Sequence, residues 1–316
     1  MGAEPALDDS GARRRMLVIV NPYATSTSRR LKSLVISALR GRYAVEAVDT
    51  DAPGHAIKLG RRASAEGFDV VVAFGGDGTV NEAANGLAGS DTPLTCLPGG
   101  AQNVYAKLLG IPGDVVDATE HLLALADDWR PRRVDLGRVD GRLFVFASGL
   151  GLDAAVVRSV DANPAAKARL RHWYYAAAGI RTFVTEYAVR PPCIDVEVDG
   201  QTMRGVTALV QTGDAYTFWG PRPLHVAEDV TLDDGALAGI VLQRASVVDM
   251  PSIMTRLFSG LRVVDHRRII GWNGVQSLVC RSVDGRPVPL QVDGDHIGDV
   301  VEARYEVVPG GLAVIA

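Results

Sequence analysis

No stretch of the 316-residue chain approaches the ~18 consecutive apolar residues that a membrane-spanning helix needs. The first apolar run, Leu17-Val18-Ile19-Val20, is too short for the core of a secretory leader, and an acidic and then arginine-rich stretch precedes it. Cysteine is scarce. Cys96, Cys193 and Cys280 are isolated and odd in number, which argues against a disulfide framework or a thiolate zinc site and fits small buried hydrophobes in a reducing cytoplasm. The six histidines never fall at the His-x-x-x-His spacing of a zinc enzyme. Positive charge is not in excess either: 33 Lys and Arg stand against 37 Asp and Glu, a net −4, so no nucleic-acid partner is expected. No Gly-Lys-Ser/Thr phosphate loop and no Gly-x-Gly-x-x-Gly are present, and Ser148 lacks the preceding glycine of a nucleophile elbow. What remains, 47% hydrophobic and 22% charged, is the balance of a cytoplasmic globular protein of about two domains.

Residues 1–15 lack periodicity and read as a disordered tail. From Met16 strands and helices alternate: strands at Leu17–Val20, Val45–Val48, Val70–Phe74 and Leu94–Leu97, and helices through Leu31–Leu39, His55–Ala65, Thr79–Leu87 and Val115–Ala126. The run Val70-Val71-Val72-Ala73-Phe74 has no polar interruption, as a central parallel strand covered on both faces requires. This order predicts a doubly wound, mostly parallel α/β sheet over residues 16–133. Near Arg130-Pro131 the pattern changes to strand pairs joined by Asp-Gly: Val134–Val139 with Leu143–Phe146, and Ile194–Val198 with Met203–Val210. A mainly antiparallel β-sandwich is therefore expected over residues 134–306, interrupted by one helix at about Ala165–Tyr187. The apolar 307–316 segment is expected to pack back on the first domain.

Chemistry concentrates in Gly75-Gly76-Asp77-Gly78-Thr79-Val80-Asn81-Glu82, between the most buried strand and a helix. Glycines there let backbone N–H groups approach phosphate oxygens, and a helix N-terminus adds partial positive charge. A carboxylate beside phosphate calls for a bridging cation, so Asp77 suggests Mg²⁺. Gly-Gly-Asp-Gly alone would equally serve as a tight turn.

The segment GGDGTVNEAANG, Gly75–Gly86, resembles the ATP-binding signature of the diacylglycerol kinase catalytic-domain family, which includes bacterial lipid kinases and sphingosine and ceramide kinases. Other blocks follow the family's order: Asn21-Pro22, Thr50 before Gly54-His55-Ala56, and Pro98–Asn103 before Leu109–Pro112. So do Val134–Gly137, Leu232–Leu237 and Val292–Asp295. The resemblance spans residues 16–316. It implies an ATP- and Mg²⁺-dependent kinase that phosphorylates a lipid hydroxyl, with diacylglycerol the leading acceptor, visiting the membrane surface as a peripheral protein; homodimer formation stays open. By the same resemblance Asn21, Pro22, Tyr23, Ala24, Thr25, Thr50, the Gly75–Glu82 loop and Asn103 would hold ATP. Asp234, with the carbonyls of Thr231 and Ala236, would form a structural Mg²⁺ site in the β domain, and Asp295 would take the proton from the acceptor, with Asp77 as a second catalytic acid.

Three positions depart from the family pattern: Val104 replaces its second Asp, Ala101 its Thr, and Asp295 its longer Glu. Asp77 or Glu82 would have to substitute for the missing acid. Two other readings compete: a soluble-substrate kinase of the NAD kinase type, which shares GGDGT, and an inactive nucleotide- or lipid-binding regulator. Lys167 to Tyr175 mixes basic and aromatic residues, as either a lipid-docking patch or ordinary packing. Phe218 and Trp219 suit an acyl pocket or the sandwich core. Arg29, Arg30 and Lys32 read as phosphate contacts or a solvated helix face.

Overall fold

The strand β3 (Val70–Gly75) is buried along its whole length. Its neighbours are β1 (Arg15–Val20), β2 (Ala44–Asp49) and β4 (Leu94–Pro98), in the order β2-β1-β3-β4 with every pairing parallel. The computed structural model describes residues 11–24, 28–161, 181, 191–227 and 230–316. They fall into two units, the chain to Val134 with Gly310–Ala316, and Asp135–Pro309. In the first, the helices α1 (Arg29–Arg40), α2 (His55–Ala65), α3 (Asp77–Leu87), α4 (Val104–Leu108) and α5 (Val115–Ala124) connect the strands. Ser28 caps α1 by accepting from the Leu31 N–H, and Asp114 caps α5 by accepting from Val116 and Asp117. Strand order reverses between β1 and β3, and such a switch point opens a crevice at the carboxyl ends of the two strands. The ordered chain begins before Met16: the Arg14 carbonyl accepts from Ala44 and Arg15 pairs in β1, because backbone groups beside β2 need partners.

The second unit is antiparallel. One sheet runs β14 (Ile269–Val275), β13 (Leu237–Leu242), β10 (Thr207–Gln211), β7 (Ala147–Gly151), β16 (Val288–Val292), β17 (Asp295–Val300). The facing layer pairs β18 (Glu302–Val314) with β15 (Ser277–Ser282), then β8 (Ile194–Val198) and β9 (Gln201–Gly205), with β5 (Arg132–Val139) and β6 (Arg142–Phe144) on the other side of β18. Leu150, Val210, Val241 and Leu290 of the first layer meet Val196, Cys280 and Tyr305 of the second in one apolar core. Asp140-Gly141 and Asp199-Gly200 turn the expected hairpins, all four residues at positive φ.

Two segments that alternate like single strands are each divided. Leu143–Phe146 splits because the chain leaves β6 in one layer and enters β7 in the other. Met203–Val210 splits into β9 and β10 at Gly205, again between layers. Gly205 is required there, since a Cβ would lie 2.5 Å from the Leu242 carbonyl oxygen. Cys96 and Cys280 are buried and Cys193 is partly exposed, all three as free thiols. The expected Ala165–Tyr187 helix, with its basic and aromatic residues, lies outside the described residues. No described helix is long and apolar enough to cross a membrane.

The α6 helix (Leu152–Asp161) and α7 (Asp249–Ser259) pack on the β10–β13–β14 side, where Leu152, Leu209, Ile240, Ile253 and Ile269 form a second core. Asp249 anchors α7: its carboxylate accepts from Arg267 at 2.8 Å and from the Ser246 hydroxyl at 2.8 Å. The Arg267 guanidinium, helped by Ser246, holds its pKa down to about 2. The unfolded carboxyl titrates near ~3.9, so this contribution is whole above that pH and lost as pH falls through the folded value. Asp249→Asn is therefore expected to melt below wild type at pH 7, with the gap closing between about pH 4 and pH 2 in a thermal-melt series.

Candidate active site

At the switch point the β1 and β3 ends are tied together. Asn21 donates its backbone N–H to Phe74 O at 2.9 Å and its side-chain amide to Thr79 Oγ1 at 3.2 Å, while Asn21 Oδ1 accepts from Tyr23 N at 2.9 Å. Beneath them Lys32, buried rather than solvated, donates to the Asn21 carbonyl at 2.6 Å. Burial pushes its ammonium below the ordinary lysine range. Pro22 and Tyr23 are exposed, Ala24 is half-buried, and Thr25 lies outside the described residues. Thr50 joins the cluster from the end of β2, its N–H donating to Val20 O at 2.8 Å.

Two glycine pairs form the floor. A Cβ on Gly100 would lie 2.6 Å from Gly76 Cα, and one on Gly99 would lie 3.1 Å from Gly75 Cα, so these backbones touch with no room for side chains. Asn103, at φ 49, clamps the same turn: its Oδ1 accepts from Gly100 N and its Nδ2 donates to Gly100 O, each at 2.9 Å. Helix α3 begins behind Gly76, which supplies no side-chain cap. The Thr79 and Val80 N–H groups donate to the Gly76 carbonyl at 3.0 and 3.2 Å, and Thr79 stands in that first turn rather than at the cap.

The acids expected to compensate for Val104 have other attachments. Glu82 caps α2, accepting from Gly54 N at 2.7 Å and Ala56 N at 3.1 Å. Asp77 caps α4, accepting from Tyr105 N at 3.1 Å. Burial pushes the Asp77 carboxyl up, and the Tyr105 and Val104 N–H groups and Lys107 oppose that. Val80 and Asn81 are buried within α3, Asn81 accepting from the Asn85 amide, and Val104 is buried where the family acid would stand. Val80, Asn81 and Glu82 are thus engaged within or between helices, while Asn21 and Thr79 are joined to each other at the ends of β1 and β3.

In the second unit Asp295 opens β17, exposed, immediately after the turn Asp293-Gly294. Asp293 is buried and accepts from three consecutive N–H groups, Val145 at 2.8 Å, Phe146 at 3.0 Å and Ala147 at 3.1 Å. These belong to the corner where the chain crosses from β6 to β7 and ladder partners run out. One carboxylate therefore completes the corner and fixes the turn that carries Asp295.

Sequence reading missed the layer beneath. Asp153 at the start of α6 accepts from the Tyr216 hydroxyl at 2.6 Å and from Gln291 Nε2 at 2.9 Å, and Gln291 Oε1 accepts from Gly294 N at 2.9 Å. Desolvation pushes the Asp153 carboxyl above the ordinary range, opposed by the Tyr216 and Gln291 bonds. These residues are 63 to 138 apart in sequence, and no local pattern joins them. Gln291→Ala removes the partner of Asp153 Oδ2, leaving only the Tyr216 bond to that carboxylate, and removes the acceptor of the Gly294 N–H, so unfolding free energy in urea is expected to fall by about 2 kcal/mol.

The expected metal ligands sit in one turn. Asp234 accepts from Thr231 N at 2.9 Å and Ala236 N at 3.1 Å, and Asp135 accepts from Gly235 N at 2.6 Å. No group of three or more His, Cys, Asp and Glu among the described residues is placed to hold a metal. The donor set is one carboxylate with backbone carbonyls, all hard oxygens, which suits a Mg²⁺ ion that keeps several waters.

A parallel α/β unit with a glycine-lined crevice, followed by an antiparallel sandwich, is the architecture of the diacylglycerol kinase and NAD kinase-like folds. Residues 15–139 match the diacylglycerol kinase catalytic domain, and residues 146–316 match the YegS C-terminal NAD kinase beta sandwich-like domain. The chain belongs to the diacylglycerol kinase catalytic-domain family. It is 26% identical over 294 residues to a diacylglycerol kinase of Staphylococcus carnosus, covering 91% of this chain and 90% of that one. A diacylglycerol kinase of Staphylococcus haemolyticus is 27% identical, over 90% and 83% of the two chains. Among solved structures, a Bacillus anthracis protein described as a candidate diacylglycerol kinase superposes with a TM-score of 0.77 at 23% identity, over 98% of both chains.

Proposed function

We propose that the protein transfers the γ-phosphate of ATP to a lipid hydroxyl, with diacylglycerol as the acceptor and phosphatidic acid as the product. The observation that carries this reading is the glycine-paired floor before α3, at the strand-order switch point, in a chain of this family. Phosphate oxygens would meet the Gly76–Thr79 backbone and the Thr79 and Asn21 side chains, and Lys32 would hold the Asn21 turn in place. Mg²⁺ would bind Asp234 and the carbonyls of Thr231 and Ala236 as a structural ion of the sandwich, and the Mg²⁺ that accompanies ATP would supply the positive charge that neutralises phosphate. Asp295, exposed on a rigid turn, is the general base. It takes the hydroxyl proton as that oxygen attacks the γ-phosphorus and the bond from that phosphorus to the bridging oxygen breaks, ADP carrying away the electron pair, and Asp293 and Gln291 keep its backbone fixed. Asp77 serves this reading by positioning α4 and the Gly99–Asn103 turn.

The test is transfer from labelled ATP in mixed micelles with Mg²⁺, using diacylglycerol, a sphingoid base and NAD as acceptors. Labelled phosphatidic acid, abolished by chelating the metal, is the expected result. Label on NAD instead would move the protein to the soluble-substrate class, and ATP binding without transfer to any acceptor would make it a regulator.

A further inference from the structure

Twelve large hydrophobic side chains are exposed among the described residues, and six of them are Trp219, Val247, Val248, Met254, Phe258 and Leu261. All six belong to α7, to the residues flanking it, or to the hairpin of β11 (Thr217–Trp219) and β12 (Arg222–Leu224) packed on it. Trp219 meets Phe258 edge to face with ring centroids 5.2 Å apart, which joins hairpin and helix into one surface. The inward side of α7 is already satisfied, with Ile253 buried and Met250 and Leu257 packed in the second core. The outward side of a surface helix is expected to be polar, yet Met254 and Phe258 lie one turn apart on it, and Leu261 follows the left-handed Gly260 cap. Phe218 points the other way and is buried, so the hairpin holds one aromatic in and one out.

The charge around this face is opposite to that of the chain. Residues 244–268 hold five arginines, no lysine and two aspartates, in a protein of net charge −4. Asp249 is neutralised by Arg267, with Arg268 also near, while Arg222, Arg244 and Arg262 are exposed. Tyr216, hydrogen-bonded to Asp153 below the Asp293-Gly294 turn, lies three residues before Trp219, at most ~10 Å of extended chain. A short span of chain and one chain of hydrogen bonds, Tyr216 to Asp153 to Gln291 to Gly294, therefore connect the apolar face to the turn that carries Asp295.

We propose that α7 and the Trp219 hairpin form the surface by which the protein docks on an anionic lipid bilayer. The aromatic and aliphatic side chains enter at headgroup level and the arginines meet lipid phosphates. The occupant rests on the lipid-kinase reading, since such an acceptor is dissolved in a bilayer. Neither feature alone gives stable attachment; apolar insertion and basic charge together do.

The experiment is co-sedimentation of the full chain with vesicles of phosphatidylglycerol and phosphatidylcholine, and with phosphatidylcholine alone. Wild type is compared with Phe258→Ser/Leu261→Ser and with Arg222→Glu/Arg262→Glu, each checked by its melting temperature so that a folded variant of one type suffices. Wild type is expected to bind the anionic vesicles at least tenfold more tightly than the neutral ones. Each variant is expected to lose at least tenfold while phosphorylating a short-chain, dispersed diacylglycerol as wild type does. Folded variants that bind as wild type overturn the proposal, as does a wild type that binds neither vesicle. A dimeric wild type made monomeric by the variants, with vesicle binding unchanged, also overturns it and assigns the face to a second copy. Vesicle binding that follows the expected pattern without phosphate transfer to any lipid supports the docking surface and removes the kinase reading.

Discussion

Asp295→Ala loses between about a hundred- and ten-thousandfold in phosphate transfer to diacylglycerol, the range of a removed general base, and melts where wild type melts. Its exposed position at the start of β17 is the reason for the second half: surface substitutions move stability by about 0.5 kcal/mol or less. Asp293→Ala behaves in the opposite way. It strips the acceptor from three buried N–H groups at the β6–β7 corner, and at roughly 1–3 kcal/mol for each orphaned group the sandwich loses several kcal/mol. The proposed function thus divides two aspartates separated by one glycine between chemistry and folding. Asp295→Glu, which restores the family's longer side chain, retains transfer, whereas Asp295→Asn does not. Steady-state kinetics paired with thermal melts of the four variants decides this. A wild-type rate in Asp295→Ala would remove the residue from the reaction.

Gly100→Ala carries the second large effect. Its new Cβ would stand 2.6 Å from Gly76 Cα and 3.1 Å from Asn103 Oδ1, and neither the backbone nor the clamped amide is free to yield. The β4 turn must move away from the β3 turn, taking the first turn of α3 out of line with the proposed phosphate site. A displacement of about 1 Å is worth roughly a hundredfold in rate, so kcat/KM for ATP is expected to fall by that order. The overpacking costs about 1–3 kcal/mol of stability at the same time. Gly89→Ala is a useful contrast. That glycine meets nothing within 4 Å and sits at φ 78, so its replacement strains the backbone without touching the crevice, and ATP kinetics should not change.

The elements that sequence reading placed well are those dictated locally. Val70–Phe74 could only be a covered strand, and Asp140-Gly141 and Asp199-Gly200 could hardly be anything but hairpin turns. The placement of the Gly75–Thr79 and Asn21 segments at the carboxyl ends of neighbouring parallel strands was legible too, because it follows from the alternation itself. Side-chain destinations were not. Glu82 reaches back 28 residues to cap α2, and Asp77 forward 28 to cap α4, so neither carboxylate is spent where its position in the glycine loop suggested. Lys32, read among exposed arginines, is buried against the Asn21 carbonyl. Gln291 carried no signal at all, since its partners Asp153 and Tyr216 come from other elements of the sandwich. The strands that divide at Val145–Phe146 and at Gly205 alternate like continuous ones, and only the presence of two layers tells them apart.

The first unit is completed by residues made long after it. Gly310–Ala316 returns across the 175 residues of Asp135–Pro309 to lie beside β4, where Val314 pairs with Leu94 and the Ile315 N–H reaches the Leu94 carbonyl. While the chain is growing, β4 is consequently a bare edge, with its hydrogen-bonding groups exposed for the whole synthesis of the second unit. At about 5–20 residues per second that interval is roughly ten to thirty-five seconds. An open edge of this kind is a template for other strands, so the growing chain carries an aggregation-exposed edge that the finished protein closes at Leu94.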